Sequence, residues 1–277
     1  MILLWALWAA AGGGDVDPDV ASRLSDARPP PEYATVTSVY DGDTLTLDTR
    51  DKVRLKWVNT PELKPPEEYG PEARELTAAL TLQKRVRLLG DGSRDGYGRM
   101  LAGVEVDGKN LSIALLEAGL GHVFVIPPDD SDLSALLAAQ DKARQARRGI
   151  WSTERYQGTL HITSFHANAD GDDRENVNGE YLRVCNISST PVDLAGYRIA
   201  EISGRAWELP PVIIPPGNTF KLHSGAGVNQ IVPTEQIALY LGSRDPIWNN
   251  GEDRATIYDR YGRVIDSRGH HVDRPNP

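Results

Sequence analysis

A chain of 277 residues, 40% hydrophobic and 25% charged, has ordinary globular composition and room for two domains, which excludes bulk disorder. Its 26 Gly and 19 Pro favour turns and short strands over long helices. The net charge of −9 divides as −3, −2 and −4 over residues 1–32, 33–156 and 157–277, so no segment offers the wide basic field of a protein that coats polyanions by counterion release.

The chain opens MILLWALWAAAGGG, an apolar run ending in small residues. Residues 1–14 therefore read as a secretory signal segment, although no Lys or Arg precedes the run; it is too short to span a bilayer. The expected setting is secreted, periplasmic or cell-surface, with no transmembrane segment in the mature chain. Residues 15–32 are acidic and end in three prolines before Glu32, as a linker does.

Alternating β-branched strands are predicted at Tyr33–Val39, Thr44–Leu47 and Val53–Val58, with turns at Asp41-Gly42-Asp43 and Asp48–Lys52. A helix follows, with Pro71 in its first turn and Ala73, Leu76 and Leu80 at helical spacing. Strands Val86–Leu89 and Leu101–Val106 flank a turn at Asp91–Tyr97. A second helix covers Leu111–Ala118 and stops at Gly119; a third starts near Ser131-Asp132 and stops at Gly149. Helical periodicity ends at Gly158. From there short strands at Leu160–Phe165, Tyr181–Asn186, Tyr197–Glu201, Thr219–His223, Ile237–Leu241, Ala255–Tyr258 and Val264–Asp266 alternate with turn residues, the pattern of an all-β sandwich. Cys185, the single cysteine, excludes an internal disulfide and reads as a small buried apolar residue.

Four short segments bring together the residue types that phosphodiester chemistry needs: Asp41-Gly42-Asp43-Thr44, Arg54, Asn59-Thr60-Pro61-Glu62 and Tyr97-Gly98-Arg99. Carboxylate and carbonyl oxygens suit a hard cation such as calcium. Two arginines can hold a phosphate by paired hydrogen bonds and stabilise the added charge of a five-coordinate phosphorus. A remaining carboxylate can take a proton from water. Taken singly, each segment is an ordinary turn, strand face or loop acid; the signal is their occurrence in order. The basic run Lys142–Arg148 fits a helix C-terminus as well as a nucleic-acid patch, and Trp57 and Tyr69 read as packing residues.

With these motifs in place, residues 33–155 resemble the staphylococcal nuclease (thermonuclease) family. The resemblance runs from the DGDT turn through V-R-L-x-x-V-N-T-P-E, Y-G-P-E-A, D-G-Y-G-R-M-L-A and L-x-E-A-G-L to A-R-x-x-R-R-G-I-W. It implies an OB-fold, a five-stranded β-barrel plus three helices. It also implies that Asp43 and the backbone carbonyl of Thr60 bind calcium, with Asp41 close to the ion. Arg54 and Arg99 would hold phosphate, Glu62 would act as general base, and Tyr97 would lie near the bound nucleotide. The implied activity is calcium-dependent hydrolysis of DNA or RNA with little sequence preference, leaving 3′-phosphates. Asn59 stands where the family most often has Asp, which removes one negative charge from the ion site and predicts weaker calcium binding. A binding module without turnover is the alternative.

Residues 158–268 resemble the lamin tail domain, an immunoglobulin-like sandwich, through N-G-E-Y-L-R-V-x-N, D-L-A-G-Y-R-I, I-I-P-P-G-N-T-F-K-L, W-N-N-G-E-D-R-A and D-x-x-G-R-V-I-D. This implies no catalysis, so binding or attachment to a surface or protein partner is the expectation. Trp248 is a candidate core residue. The acidic turn Asn168–Asn176 lacks the full EF-hand spacing, and residues 269–277, with His270-His271, read as a tail.

Overall fold

The computed structural model describes residues 31–127, 129, 131–232 and 235–271. The predicted signal segment and residues 15–30 of the predicted linker lie outside these. Among the described residues no helix is long and apolar enough to cross a membrane.

The first domain is built from β1 (Tyr33–Val39), β2 (Thr44–Leu47), β3 (Lys52–Leu55), β4 (Trp57–Asn59), α1 (Gly70–Thr81), β5 (Arg85–Leu89), β6 (Met100–Val106), β7 (Lys109–Asn110), α2 (Leu111–Ala118), β8 (His122–Phe124) and α3 (Ser134–Gln145). The sheet order β3-β2-β1-β5-β6-β7 closes on itself because β3 also pairs with β6 in parallel, giving a five-stranded barrel with three helices. Alternation explains the closure: Val36, Leu45, Leu47, Val53, Leu55, Val86 and Val104 all point inward and are buried. α2 begins where the Asn110 side chain accepts from Ile113 N at 3.2 Å and ends at Gly119, φ 70°, as its sequence predicts.

The predicted third strand differs in one respect. It breaks at Trp57, whose φ is 69°, and the piece beyond, β4, leaves the barrel to pair with β8. The turned-out Trp57 ring lies so close to Gly103 that a Cβ there would fall 2.5 Å from the ring, and Trp57 Nε1 donates to Asp129 at 2.9 Å. The third helix likewise starts later than predicted, at Ser134, and a short 3₁₀ turn over Gly149–Ser152 follows it.

The second domain comprises β9 (Leu160–His166), β10 (Tyr181–Asn186), β11 (Val192–Asp193), β12 (Arg198–Ala200), β13 (Ala206–Glu208), β14 (Ile213–Ile214), β15 (Thr219–His223), β16 (Ile237–Tyr240), β17 (Asp253–Tyr258) and β18 (Val264–His270). Sheets β16-β15-β10-β9 and β13-β12-β17-β18 enclose an apolar core that includes Trp248. The last strand runs to His270, past the predicted strand end at Asp266 and the predicted domain end at 268, because His270 Nε2 bonds Asn250 O at 3.1 Å and its ring meets Phe165. In the acidic turn Asp173 accepts from Ala169 N and from the Asn250 side-chain amide, and Asp172 from Arg174 N.

The domains are joined by backbone as well as side chains. Val125 N donates to Gly217 O at 2.8 Å and Thr219 N to Val125 O at 2.9 Å, which continues β8 into the second domain. A separate apolar cluster of Ala143, Ile150, Trp151, Tyr156, Cys185 and Ile187 fills the junction. Arg144, from the basic run, donates to Ile187 O and Gly158 O, so it braces the domains instead of facing a ligand. Burial pushes the Cys185 thiol up, as expected of an inert core cysteine.

His122 sits in this junction, fully buried beside Tyr156 and His161, with Nδ1 2.9 Å from Val123 O. Burial first, then His161, lowers its pKa to about 3. The unfolded chain takes up this proton near pH ~6.5, so stability is present above that pH and is lost as pH falls toward the folded value. The expected loss is about 1.4 kcal/mol per pH unit, or about 2 kcal/mol at pH ~5. Denaturant titrations at pH 7 and 5 should show a smaller drop for His122→Phe than for wild type; parallel drops would contradict the assignment.

Candidate active site

The site forms at one rim of the barrel, where strand ends deliver side chains from separated segments. The β1–β2 turn carries Asp41 and Asp43, 6% and 5% exposed. Gly42 lets this turn press against the barrel, since a Cβ there would lie 2.6 Å from Thr60 Oγ1 and 2.7 Å from Ala73 Cβ. Asp43 N donates to Asp41 Oδ1 at 3.1 Å, and Asp43 Oδ2 accepts from Thr60 N at 2.9 Å and Thr60 Oγ1 at 3.1 Å. The register Thr44↔Arg54 brings Arg54 beside this turn. Arg54 Nη1 meets Asp43 Oδ2 at 2.6 Å and Val58 O at 3.0 Å, while Nη2 donates to Asn59 Oδ1 at 2.8 Å.

Two carboxyls here are held above their ordinary range. Burial and the neighbouring Asp43 charge raise Asp41 to about 6. Desolvation in the cleft, then Asp43 and Asp41, raises Glu62 to about 7. Arg54 opposes both shifts without cancelling them. Burial and mutual repulsion thus hold both carboxyls toward their neutral forms.

This bears on the calcium that the family resemblance implies. Asp43 Oδ2 and Asn59 Oδ1 converge on the Arg54 guanidinium, and the Asp41 carboxyl stands beside them in the same turn. Oxygen donors of this kind suit a hard cation. Among the described residues no group of three His, Cys, Asp or Glu side chains is placed to hold a metal, so the donor set has a low charge count. The residues fit a weak site.

Glu62 lies on the loop between β4 and α1. Its backbone is clamped by Glu67: Glu62 N donates to Glu67 Oε2 at 3.0 Å and Glu67 N to Glu62 O at 2.8 Å. Glu67 in turn pairs through Oε1 with Arg155 at 3.0 Å and with Arg268 of β18 at 3.4 Å. Despite its burial, these two guanidinium groups hold the Glu67 carboxyl below its usual range. Sequence reasoning missed this clamp. Glu67 looks like one more acid in a proline-rich loop, and its partners lie far along the chain.

Arg99 precedes β6, next to β3 in the closed barrel. Its Nε pairs with Asp95 Oδ2 at 2.7 Å and its Nη1 reaches Thr44 Oγ1 at 3.4 Å. Tyr97 is exposed, with the Arg99 guanidinium 5.5 Å from its ring.

Asp41, Asp43, Arg54, Asn59, Glu62, Tyr97 and Arg99 all line one cavity of about 490 Å³. Thr60 lies behind its wall, bonded to Asp43. The opposite side of the cavity belongs to the second domain, through Thr163, Ser164, His166, Tyr181 and Arg183. The sequence gives no hint of this wall, because alternation in β9 and β10 marks two faces without saying what the outer one meets.

Fold and site together define a closed-barrel protein with an acid- and arginine-lined cleft. Comparison with known proteins places it more closely. The family model described as Staphylococcal nuclease homologue matches residues 52–153, and Lamin Tail Domain matches 153–271. "Endonuclease YncB" of Bacillus subtilis (strain 168) is 33% identical over 132 residues, covering 44% of this chain and 63% of that protein. "Thermonuclease" of Staphylococcus intermedius is 34% identical over 128 residues, covering 43% and 76%. An "Uncharacterized endonuclease" of Escherichia coli O157:H7 is 34% identical over 122 residues, covering 43% and 77%. The chain belongs to the staphylococcal nuclease homologue family, with a lamin tail domain following the nuclease-type barrel. It spans 63% and 45% of the two Bacillus subtilis relatives, the second being "SPbeta prophage-derived endonuclease YokF".

Proposed function

We propose that the protein is a calcium-dependent nuclease that hydrolyses phosphodiester bonds of DNA or RNA, acting outside the cytoplasm. The observation that carries this reading is the grouping of two guanidinium groups, two buried carboxylates and the raised Glu62 carboxyl around one cavity. Arg54 and Arg99 take the phosphate oxygens and stabilise their growing charge. Glu62 takes the proton of attacking water, and a carboxyl held near 7 is basic enough to do so at neutral pH. Asp43, Asp41, Asn59 and the Thr60 carbonyl would hold calcium, which when bound neutralises the phosphate and polarises its P–O bonds. The proposed product carries a 3′-phosphate. Purified protein incubated with denatured DNA and with RNA, in calcium or in chelator, should degrade substrate only with calcium; no calcium-dependent cleavage would refute the reading.

Asn59 sets the calcium requirement in this proposal. Asn59→Asp restores one charge to the donor set, and affinity of oxygen-ligand sites rises with ligand charge. The calcium concentration for half-maximal activity should fall about tenfold, with a matching fall in the calorimetric Kd, a difference of about 1.4 kcal/mol. Superposed calcium titrations of the two proteins would remove position 59 from the account.

A further inference from the structure

The second domain turns one face of β9, β10, β15 and β16 toward its own core, where Leu182, Leu222 and Leu239 are buried. The residues between them in the alternation lie on the outer face. Pairing registers place His166, Tyr181, His223 and Tyr240 directly across from one another, so one aromatic row crosses all four strands. The rings interact along the row: His166 stacks on Tyr181 at 4.3 Å and His223 on Tyr240 at 5.0 Å, with 5.7 Å between the middle pair. Two residues along the strands, the register Arg183↔Lys221 sets a basic row beside the aromatic one, and Lys221 Nζ lies 4.6 Å over the Tyr181 ring.

The β9–β10 end of these rows reaches the catalytic cleft. His166, Tyr181 and Arg183 line the same cavity as Arg54, Glu62 and Arg99. Arg183 is only 8% exposed, so the exposure it retains faces that cavity. The wall is fixed in place by the β8 extension and by the Arg268–Glu67 pair. Aromatic side chains interleaved with basic ones are what a single nucleic-acid strand requires, rings for bases and cations for phosphates. A cavity of about 490 Å³ lined by both domains has room for one nucleotide-sized group.

We propose that the β9–β10 part of this outer face is the second wall of the substrate groove. It binds a single nucleic-acid strand, with Arg183 on a phosphate next to the scissile one and the His166–Tyr181 stack on the adjoining base. The lamin tail domain is then part of the substrate site, not a detachable anchor. This rests on the nuclease reading for the cleavage arm of its test, but not for the binding arm.

The test uses the full chain. Binding of a fluorescein-labelled single-stranded dodecamer and its duplex is read by anisotropy on the Glu62→Gln protein. Single-strand binding should be at least tenfold tighter, and should weaken about tenfold when Arg183→Gln or His166→Ala is added. In the cleavage arm, the same two substitutions in the active protein should raise KM for the single strand about tenfold while kcat falls less than threefold. Tyr261→Ala, on an exposed turn of the same domain, should leave both constants unchanged. Melting curves identify a misfolded Arg183 variant, in which case the half-buried His166 decides. Equal binding of duplex and single strand, or unchanged binding and KM in the His166 variant, would overturn the proposal. If the wild type cleaves nothing in calcium, the nuclease reading fails and the binding arm alone judges the wall.

Discussion

Glu62→Gln should lower kcat on a single-stranded oligonucleotide by about 10²–10⁴-fold, the range for losing a positioned general base, while KM stays within about threefold. The substitution is clean for a structural reason. The loop is held through the Glu62 backbone by Glu67, not through the Glu62 side chain, so an isosteric amide leaves its position intact. The direction of the carboxyl's shift sharpens the test. Asp43 and Asp41 repel the Glu62 charge, so removing that charge relieves the rim, and the melting temperature should stay level or rise. A protein that keeps its Tm and loses turnover identifies a proton acceptor. A protein that keeps both would place the base elsewhere, and a fall in both would mean that the loop, not the carboxyl, had been damaged. Single-turnover rates with calcium saturating each variant separate these outcomes.

How far the sequence reveals this site depends on the range over which each residue is positioned. Asp41, Asp43, Arg54 and Arg99 sit at strand ends, and alternation together with turn residues locates strand ends, so these were legible before any fold was known. The α2 helix was legible for the same local reason, a Gly at its end. Trp57 was not. Its neighbours continue an apolar strand pattern, and only contact with Gly103 and Asp129 explains why the backbone turns there. Glu67 and the outer face of β9 and β10 were invisible because their meaning arises from docking of one domain on the other. The short strands β11, β13 and β14 escaped notice because two or three residues carry too little periodicity to stand out. The family resemblance covers the barrel's chemistry residue by residue, and it is silent on what the second domain adds to it.

Arg54→Lys should produce the other large effect, and a compound one: kcat/KM about 10²–10³-fold lower, with a loss of stability of about 1–3 kcal/mol. Arg54 meets Asp43, Val58 O and Asn59 through two different nitrogens of one planar group, with the Phe124 ring 5.8 Å away. A lysine ammonium is a compact charge on a flexible stem and cannot keep all three partners. It would leave Asp43, and beside it Asp41, with less countercharge in a turn where burial and the Asp43 charge already hold Asp41 near 6. Stability should therefore fall along with phosphate binding. Arg99→Lys provides the contrast. Arg99 pairs with Asp95 at the mouth of the cleft and bears on neither buried carboxylate, so its loss should reduce kcat/KM without a comparable loss of stability. Saturating calcium should return more stability to Arg54→Lys than to wild type, because a cation at Asp43 supplies the charge the lysine fails to place. Denaturant titrations of both variants with and without calcium decide the point: equal calcium gains in the two proteins would show that Arg54 and the cation do not share the Asp43 carboxylate.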